Sequence, residues 1–501
     1  MERKSHHGSR DTRPISRLVP LSVLLLTAAV MGAEQPPCSA EVGEIVAQIE
    51  EINMVQGSAI GYSGERPKQW DNFTELKAAA TVDELRTLTD HPSGVVRCYA
   101  FWALAYADSV DLYPIVRNHL SDTGSVTFQF GCTIDVQRAG DFFIELATPE
   151  YIDVEVGKLG SAQLWTLDSI LIFGSHGLYA RDRAIDAVQP VEYLYPRLRE
   201  LVVRENNASA LVALARYRKG QDIELVLTSP VEDWFAQDPR RYRFKAISYF
   251  PHPDFLPMIR AALEETLKEE TYSSWWGDMY KAIASYENDE AVQLLEKSFT
   301  EVEHKNMRKY HLGYAFAAVR EHKVPIFDRL FWRFCKDEKR MSPDVFEYLR
   351  GRNPDALYEV VKATLWHLQS FYDINRSYEL ADTSGSEDAV ASMLHMVLER
   401  DSAEASRLIV HNTKVADVFM FPIFADAAAQ IRSPGFVDAL LSRLETENNP
   451  YVYLKAAEAL IAYDDTAING RVLEARRLNP ALSEGWGGTA LSRLLKDHGL
   501  Q

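Results

Sequence analysis

Five segments decide the fold: Ala100-Phe-Trp-Ala-Leu-Ala-Tyr106, Ala210-Leu-Val-Ala-Leu-Ala-Arg-Tyr217, Lys245-Ala-Ile-Ser-Tyr249, Lys281-Ala-Ile-Ala-Ser-Tyr286 and Lys455-Ala-Ala-Glu-Ala-Leu-Ile-Ala-Tyr463. Each reads as an alanine-rich helix that ends in tyrosine. Acids or amides often follow, as at Asp108, Asn288-Asp289 and Asp464-Asp465. Tyr217, Tyr249 and Tyr286 stand 32 and 37 residues apart, and the longer gaps are close to multiples of about 36. A period of about 20–50 residues marks a solenoid or a propeller. Small residues let inner helices of stacked pairs approach closely. No pair buries its apolar face alone, so the array is the folding unit.

A second recurrent device selects the helical version. Short polar residues or His recur directly before proline, as in His91-Pro92, Thr148-Pro149, His252-Pro253, Ser342-Pro343, Asn353-Pro354, Ser433-Pro434, Asn449-Pro450 and Asn479-Pro480. Ser, Thr and Asn cap orphan helix amides, and proline fits the first helical position. These pairs therefore predict repeated helix starts. A propeller would need dense short strands instead. Upstream, Val42, Ile45, Val46 and Ile49 predict a helix over 41–52.

His91-Pro-Ser-Gly-Val-Val-Arg97-Cys-Tyr-Ala100-Phe-Trp-Ala-Leu104 resembles the second-helix consensus of HEAT repeats, and Ser433 through Asp465 resembles a complete helix–turn–helix unit with its turn at Asn448-Asn449-Pro450. The resemblance extends over roughly 75–500, with four or five clear units and a departure between 300 and 430. It implies an all-α chain: an open right-handed solenoid of 11 or 12 helix pairs. HEAT arrays act mostly as scaffolds, and their enzymatic relatives include bilin lyases and a DNA-alkylation glycosylase. The expected organisation is a signal peptide over 1–33, an N-terminal helix and linker over 34–74, and the solenoid over 75–501.

One stretch breaks the helical rule. Val126, Phe128, Phe130, Cys132, Ile134 and Val136 alternate with polar or small residues, which predicts a strand or extended insertion near 125–137, the alternative being a blurred buried helix. Gly57 to Lys68 and 381–387 read as loops.

Residues 1–17 carry five basic and two acidic groups, and an apolar run from Leu18 to Ala33 follows. This pattern predicts export, periplasmic or secreted, with cleavage after Gly32 or Ala33. The run is shorter than the roughly 20 residues that a spanning helix needs, so the chain is expected to be soluble after signal removal, the alternative being an uncleaved anchor. The net charge of the whole chain is −18, and loss of residues 1–33 would make it three charges more negative. Such a field repels phosphate backbones and disfavours nucleic acid as a partner. The expected partner is another protein, basic or neutral. Oligomeric state is not legible.

Chemistry leaves few marks. G-x-S-x-G, the P-loop, G-x-G-x-x-G and His-Glu-x-x-His are absent from the sequence, and they are the usual signatures of hydrolase, nucleotide and zinc sites. No cofactor or metal is expected. His304 and His311 read as solvated helix residues, and His91 and His252 as structural. Acid pairs such as Asp182 with Asp186, Glu264-Glu265 and Asp464-Asp465 read as solvated, as 72 acids make chance pairs inevitable. Sequons at Asn72, Asn207 and Asn375 carry no inference. Four cysteines, Cys38, Cys98, Cys132 and Cys335, form no CxxC, and no disulfide is expected. Cys98, in an apolar setting, is expected in the core.

The most unusual short segment is Thr271-Tyr272-Ser273-Ser274-Trp275-Trp276-Gly277-Asp278. Helix neighbours lie about 100° apart, so one indole is expected at a surface, loop or groove. Trp275, Trp276 and Asp278 are thus candidate binding residues. The alternative is that the pair wedges two adjacent layers. The function this supports is an exported, non-catalytic protein-binding scaffold. The alternative is a secreted carbohydrate-active enzyme with an α/α-toroid, and a third class is a tetrapyrrole-modifying HEAT enzyme.

Overall fold

The computed structural model describes residues 38–500 apart from 152, 154, 175–176, 231–237 and 369–385. The signal segment, the Asn375 sequon and residues 381–385 of the expected loop lie outside the described residues. Ser386 and Glu387 open a helix. Among the described residues the fold is predominantly helical, with 26 α-helices and one three-stranded sheet. None of these helices is long and apolar enough to cross a membrane. The chain forms two compact units, up to Gln163 and from Leu164 onward.

The first unit contains α1 (Ala40–Ile52), β1 (Val55–Ile60), α2 (Lys68–Ala79), α3 (Val82–Leu88), α4 (Gly94–Ala105), α5 (Leu112–Asn118), β2 (Ser125–Gly131), β3 (Thr133–Arg138) and α6 (Ala139–Leu146). The stripe Val42, Ile45, Val46 and Ile49 is buried as expected, with Ser39 capping the helix start. One expectation is corrected in part. Of the loop expected over Gly57 to Lys68, residues 57–60 belong to β1, which runs beside β2, and residues 61–67 are turn or irregular. Positions 74 and 75 lie within α2. Tyr99 of α4 locks β1 in place: its hydroxyl accepts from the Gln56 amide at 2.7 Å and donates to the Gln56 carbonyl at 3.1 Å.

The alternating stretch is extended, yet it is a hairpin rather than one strand. β2 pairs in parallel with β1 and antiparallel with β3. Phe130 pairs with Thr133 across a two-residue turn, with Gly131 at φ +55°. Glycine is favoured there because L side chains resist positive φ. That turn switches the parity of the pattern. Val126 and Phe128 face the core, whereas Ile134 and Val136 fall on the opposite face, 61% and 55% exposed.

The arginine of the 91–104 segment has a structural role. Arg97 grips Asp122 with two bonds, at 2.7 and 2.9 Å, and also donates to the His91 and Pro92 carbonyls. It therefore ties α4 to both the loop before it and the turn before β2. Cys98 is fully buried beside it, as expected.

The boundary between the units falls within α7 (Ser161–Phe173), most of which belongs to the second unit, and the order there continues with α8 (Ala180–Ala187), α9 (Tyr195–Glu205), α10 (Ala208–Ala215), α11 (Ile223–Thr228), α12 (Arg240–Tyr249), α13 (Leu256–Thr266), α14 (Trp275–Ala284), α15 (Asp289–Thr300) and α16 (Arg308–His322). It continues with α17 (Asp328–Asp337), α18 (Pro343–Arg352), α19 (Pro354–His367), α20 (Ser386–Arg400), α21 (Ser402–Val415) and α22 (Phe421–Ile431). Then follow α23 (Val437–Thr446), α24 (Pro450–Ile461), α25 (Thr466–Leu478) and α26 (Gly485–Asp497). The main helix contacts join neighbours one or two places apart in the chain. One row runs α8, α10, α12, α14, α16, and further on α18, α20, α22, α24, α26 form another.

The recurrent sequence features map onto this packing. Ala100, Ala213, Ala282 and Ala457 are buried in α4, α10, α14 and α24. The tyrosines that end three of these helices, α10, α14 and α24, are tethers. Tyr217 donates to the Val191 carbonyl at 2.7 Å, Tyr286 to that of His252 at 2.6 Å, and Tyr463 to that of Ser433 at 2.9 Å. In each case the acceptor adjoins a proline about 30 residues upstream. Arg218, Glu287 and Asp464, which directly follow these tyrosines, are all left-handed. Seven of those eight pairs, in which a short polar residue or His stands before proline, precede a helix or 3₁₀ turn. Thr148-Pro149 is the exception and lies in a turn. Asn353, Asn449 and Asn479 cap through their side chains. His91 and His252 do so through Nδ1, which accepts from the amide two residues on at 3.1 and 3.3 Å.

Candidate functional site

Trp275 and Trp276 open α14, and the structure leaves neither at a surface: they are 1% and 0% exposed. The 100° between helix neighbours holds, but α14 has a partner on each side. Trp275 stacks on Phe244 of α12, ring centroids 5.6 Å apart, beneath the Arg240 guanidinium. Trp276 stacks on His311 of α16 at 4.3 Å. The pair is thus the wedge between layers. His311 is corrected with it: instead of being solvated, it is fully buried, with Nδ1 2.8 Å from the Tyr280 hydroxyl. Burial holds its pKa down at about 4. Asp278 is mostly buried and pairs with Arg241 at 3.3 Å. Its burial raises the carboxyl pKa against the pull of Arg241, Lys245 and Lys281.

The accessible site lies elsewhere in the second unit. α7 carries apolar residues on every side, with Thr166, Asp168 and Ser169 between them: Leu167, Leu171 and Ile172 are buried, yet Trp165 is 64% and Phe173 51% exposed. A helix with apolar residues on every side needs more than one covering surface. Here one side instead borders a cavity of about 260 Å³. Trp165, Asp168 and Ile172 of α7 line it, facing Val191, Tyr193 and Leu194 of the loop after α8. Tyr193 is 56% exposed.

The loop wall is held by the end of α10. Arg216 donates to the Asp186 and Val188 carbonyls at 2.7 and 3.0 Å, and Tyr217 reaches the Val191 carbonyl. Lys219 pairs with Glu192 at 2.9 Å. On the other side Arg197 of α9 donates to the Ile172 carbonyl at 3.0 Å. The cleft is consequently ordered before anything binds, which lowers the entropy cost of association. Asp168 is half-buried and makes no hydrogen bond or ion pair among the described residues. Burial raises its pKa, and Arg183 pulls it part of the way back.

Sequence reasoning missed this site. Its signal was the absence of an amphipathic stripe in Leu164-Trp-Thr-Leu-Asp-Ser-Ile-Leu-Ile-Phe173, which a search for catalytic motifs does not register. Among the described residues no group of three or more His, Cys, Asp or Glu could hold a metal ion. No family model, no curated protein and no solved structure matches the chain.

Proposed function

We propose that the protein is an exported, non-catalytic scaffold whose helices stack as an open right-handed HEAT-like solenoid and which docks a protein partner at the Trp165–Tyr193 cleft. The single observation that carries the reading is the exposed aromatic pair across a cleft braced from α9 and α10. Tryptophan and tyrosine dominate binding hot spots because each supplies a large rigid face at low entropy cost. Repetition supports the solenoid: helix packing mainly between neighbours one or two places apart, and tyrosine tethers that each span about one repeat. Export rests on the basic front and apolar run of residues 1–33.

Glycosidase chemistry draws no support from this cleft. That reaction uses two carboxylates flanking the bond, and Asp168 is the one carboxylate among the described lining residues.

The test places a photo-crosslinking amino acid at Trp165 in the full chain, expressed in its host, with the fully exposed Tyr62 as the control position. The expected result is a discrete protein adduct from position 165, lost in Tyr193→Ala and absent from position 62. Equal labelling from both positions would overturn the reading.

A further inference from the structure

The cleft has a chemistry of its own. Its walls are mostly aromatic and aliphatic, with Ser169 and Gln189 as the neutral polar residues, and its one carboxylate, Asp168, makes no hydrogen bond or ion pair among the described residues. An ionised carboxylate in apolar surroundings is costly unless it is paired. Arg183 acts on it electrostatically but makes no ion pair with it. Glu192, on the loop that faces α7, is already engaged by Lys219. The volume of about 260 Å³ lies just below the roughly 300–1,000 Å³ of small-molecule pockets, a size suited to one long side chain. Tryptophan and tyrosine faces attract cations through their negative ring surfaces. The chain as a whole carries −18, so a basic partner is steered toward it.

We propose that the cleft is a cation pocket that takes a single arginine or lysine side chain from the partner protein, its stem between Trp165 and Tyr193 and its charge against Asp168. The proposal rests on the scaffold reading and narrows it. Arginine is the better fit of the two. Its planar guanidinium can lie on an indole while donating two bonds to one carboxylate. A neutral ligand of the same shape would keep the packing and lose the charge pairing.

The experiment uses the full chain with ¹⁵N-labelled tryptophan, the Trp165 indole resonance being assigned through Trp165→Phe. The probes are N-acetylarginine amide, N-acetyllysine amide and the neutral isostere N-acetylcitrulline amide. The arginine compound should shift the Trp165 indole saturably and bind about tenfold or more tighter than the citrulline compound. Asp168→Asn should erase that ratio while the circular dichroism spectrum is unchanged. Should Asp168→Asn fail to fold, Trp165→Ala, prepared with ¹⁵N-labelled tyrosine and read at the Tyr193 amide, must lose the arginine response that the same label shows in the unsubstituted chain. Equal affinity for arginine and citrulline compounds, a ratio that survives in Asp168→Asn, or no shift with any probe would overturn the proposal. A crosslinked partner at position 165 together with that failure would leave the scaffold reading standing and remove only the cation pocket.

Discussion

Lowering the pH from 7.5 to 5 should cost the second unit about 2 kcal/mol through one side chain, His311. The imidazole has no exposed surface, stacks on Trp276 and meets the Tyr280 hydroxyl at Nδ1. Its Nε2 has no hydrogen-bond partner, and the Thr266 backbone offsets only part of the effect of burial. Adding a proton would place a charge in the layer between α14 and α16. Burial therefore depresses the pKa from 6.5 to about 4. A base with a depressed folded pKa is protonated first in the unfolded chain. The contribution is thus complete above pH 6.5 and is lost as the pH falls toward 4, where it levels off. The whole window corresponds to about 3 kcal/mol, and the span from 7.5 to 5 to about 2. Two assays bear on it. The His311 Cε1–H resonance should titrate near 4. Urea unfolding followed at pH 7.5 and pH 5 should lose that increment of pH dependence in His311→Phe, which keeps the stacking. That variant leaves the Tyr280 hydroxyl without its partner, so its stability should be lower at both pH values. An imidazole titrating near 6.5, or a variant with the wild-type pH dependence, would refute the reasoning.

Three further outcomes are expected. Arg97→Ala strands the Asp122 carboxylate, 14% exposed, and should cost about 3–5 kcal/mol by thermal or urea unfolding, with Arg97→Lys recovering only part. Leucine at Ala100, Ala213, Ala282 or Ala457 should overpack a layer and cost about 1–3 kcal/mol each, and unchanged midpoints for all four would contradict their burial. Thiol labelling of the native protein should modify exposed Cys132 fast and leave Cys98 and Cys335 untouched until unfolding, because both are buried and their thiol pKa values are raised.

Much of the fold was legible because its rules are local. The Asn-Pro caps at 353, 449 and 479 use contacts within two or three residues. The alanines declared the close approach, and the tyrosines declared a period, although their tether to the preceding loop is a contact over about 30 residues. The extended stretch near 125–137 was legible too, but not its hairpin. Alternation alone carries no mark of a reversal at Gly131, so the outward face of Ile134 and Val136 was lost.

By itself, then, the sequence determined where helices start and stop, which residues pack at close approach, and the acidity of the surface. These follow from backbone capping, side-chain volume and charge, all of which act without knowledge of distant segments. Tertiary structure alone decided which faces have neighbours. Trp275 and Trp276 are both interior because α12 and α16 flank α14 on opposite sides. Trp165, in an equally apolar helix, is exposed because its side of α7 borders a cleft rather than another layer. Burial is a property of the partner surface, and one helix's pattern records its demand for cover but not whether a neighbour supplies it.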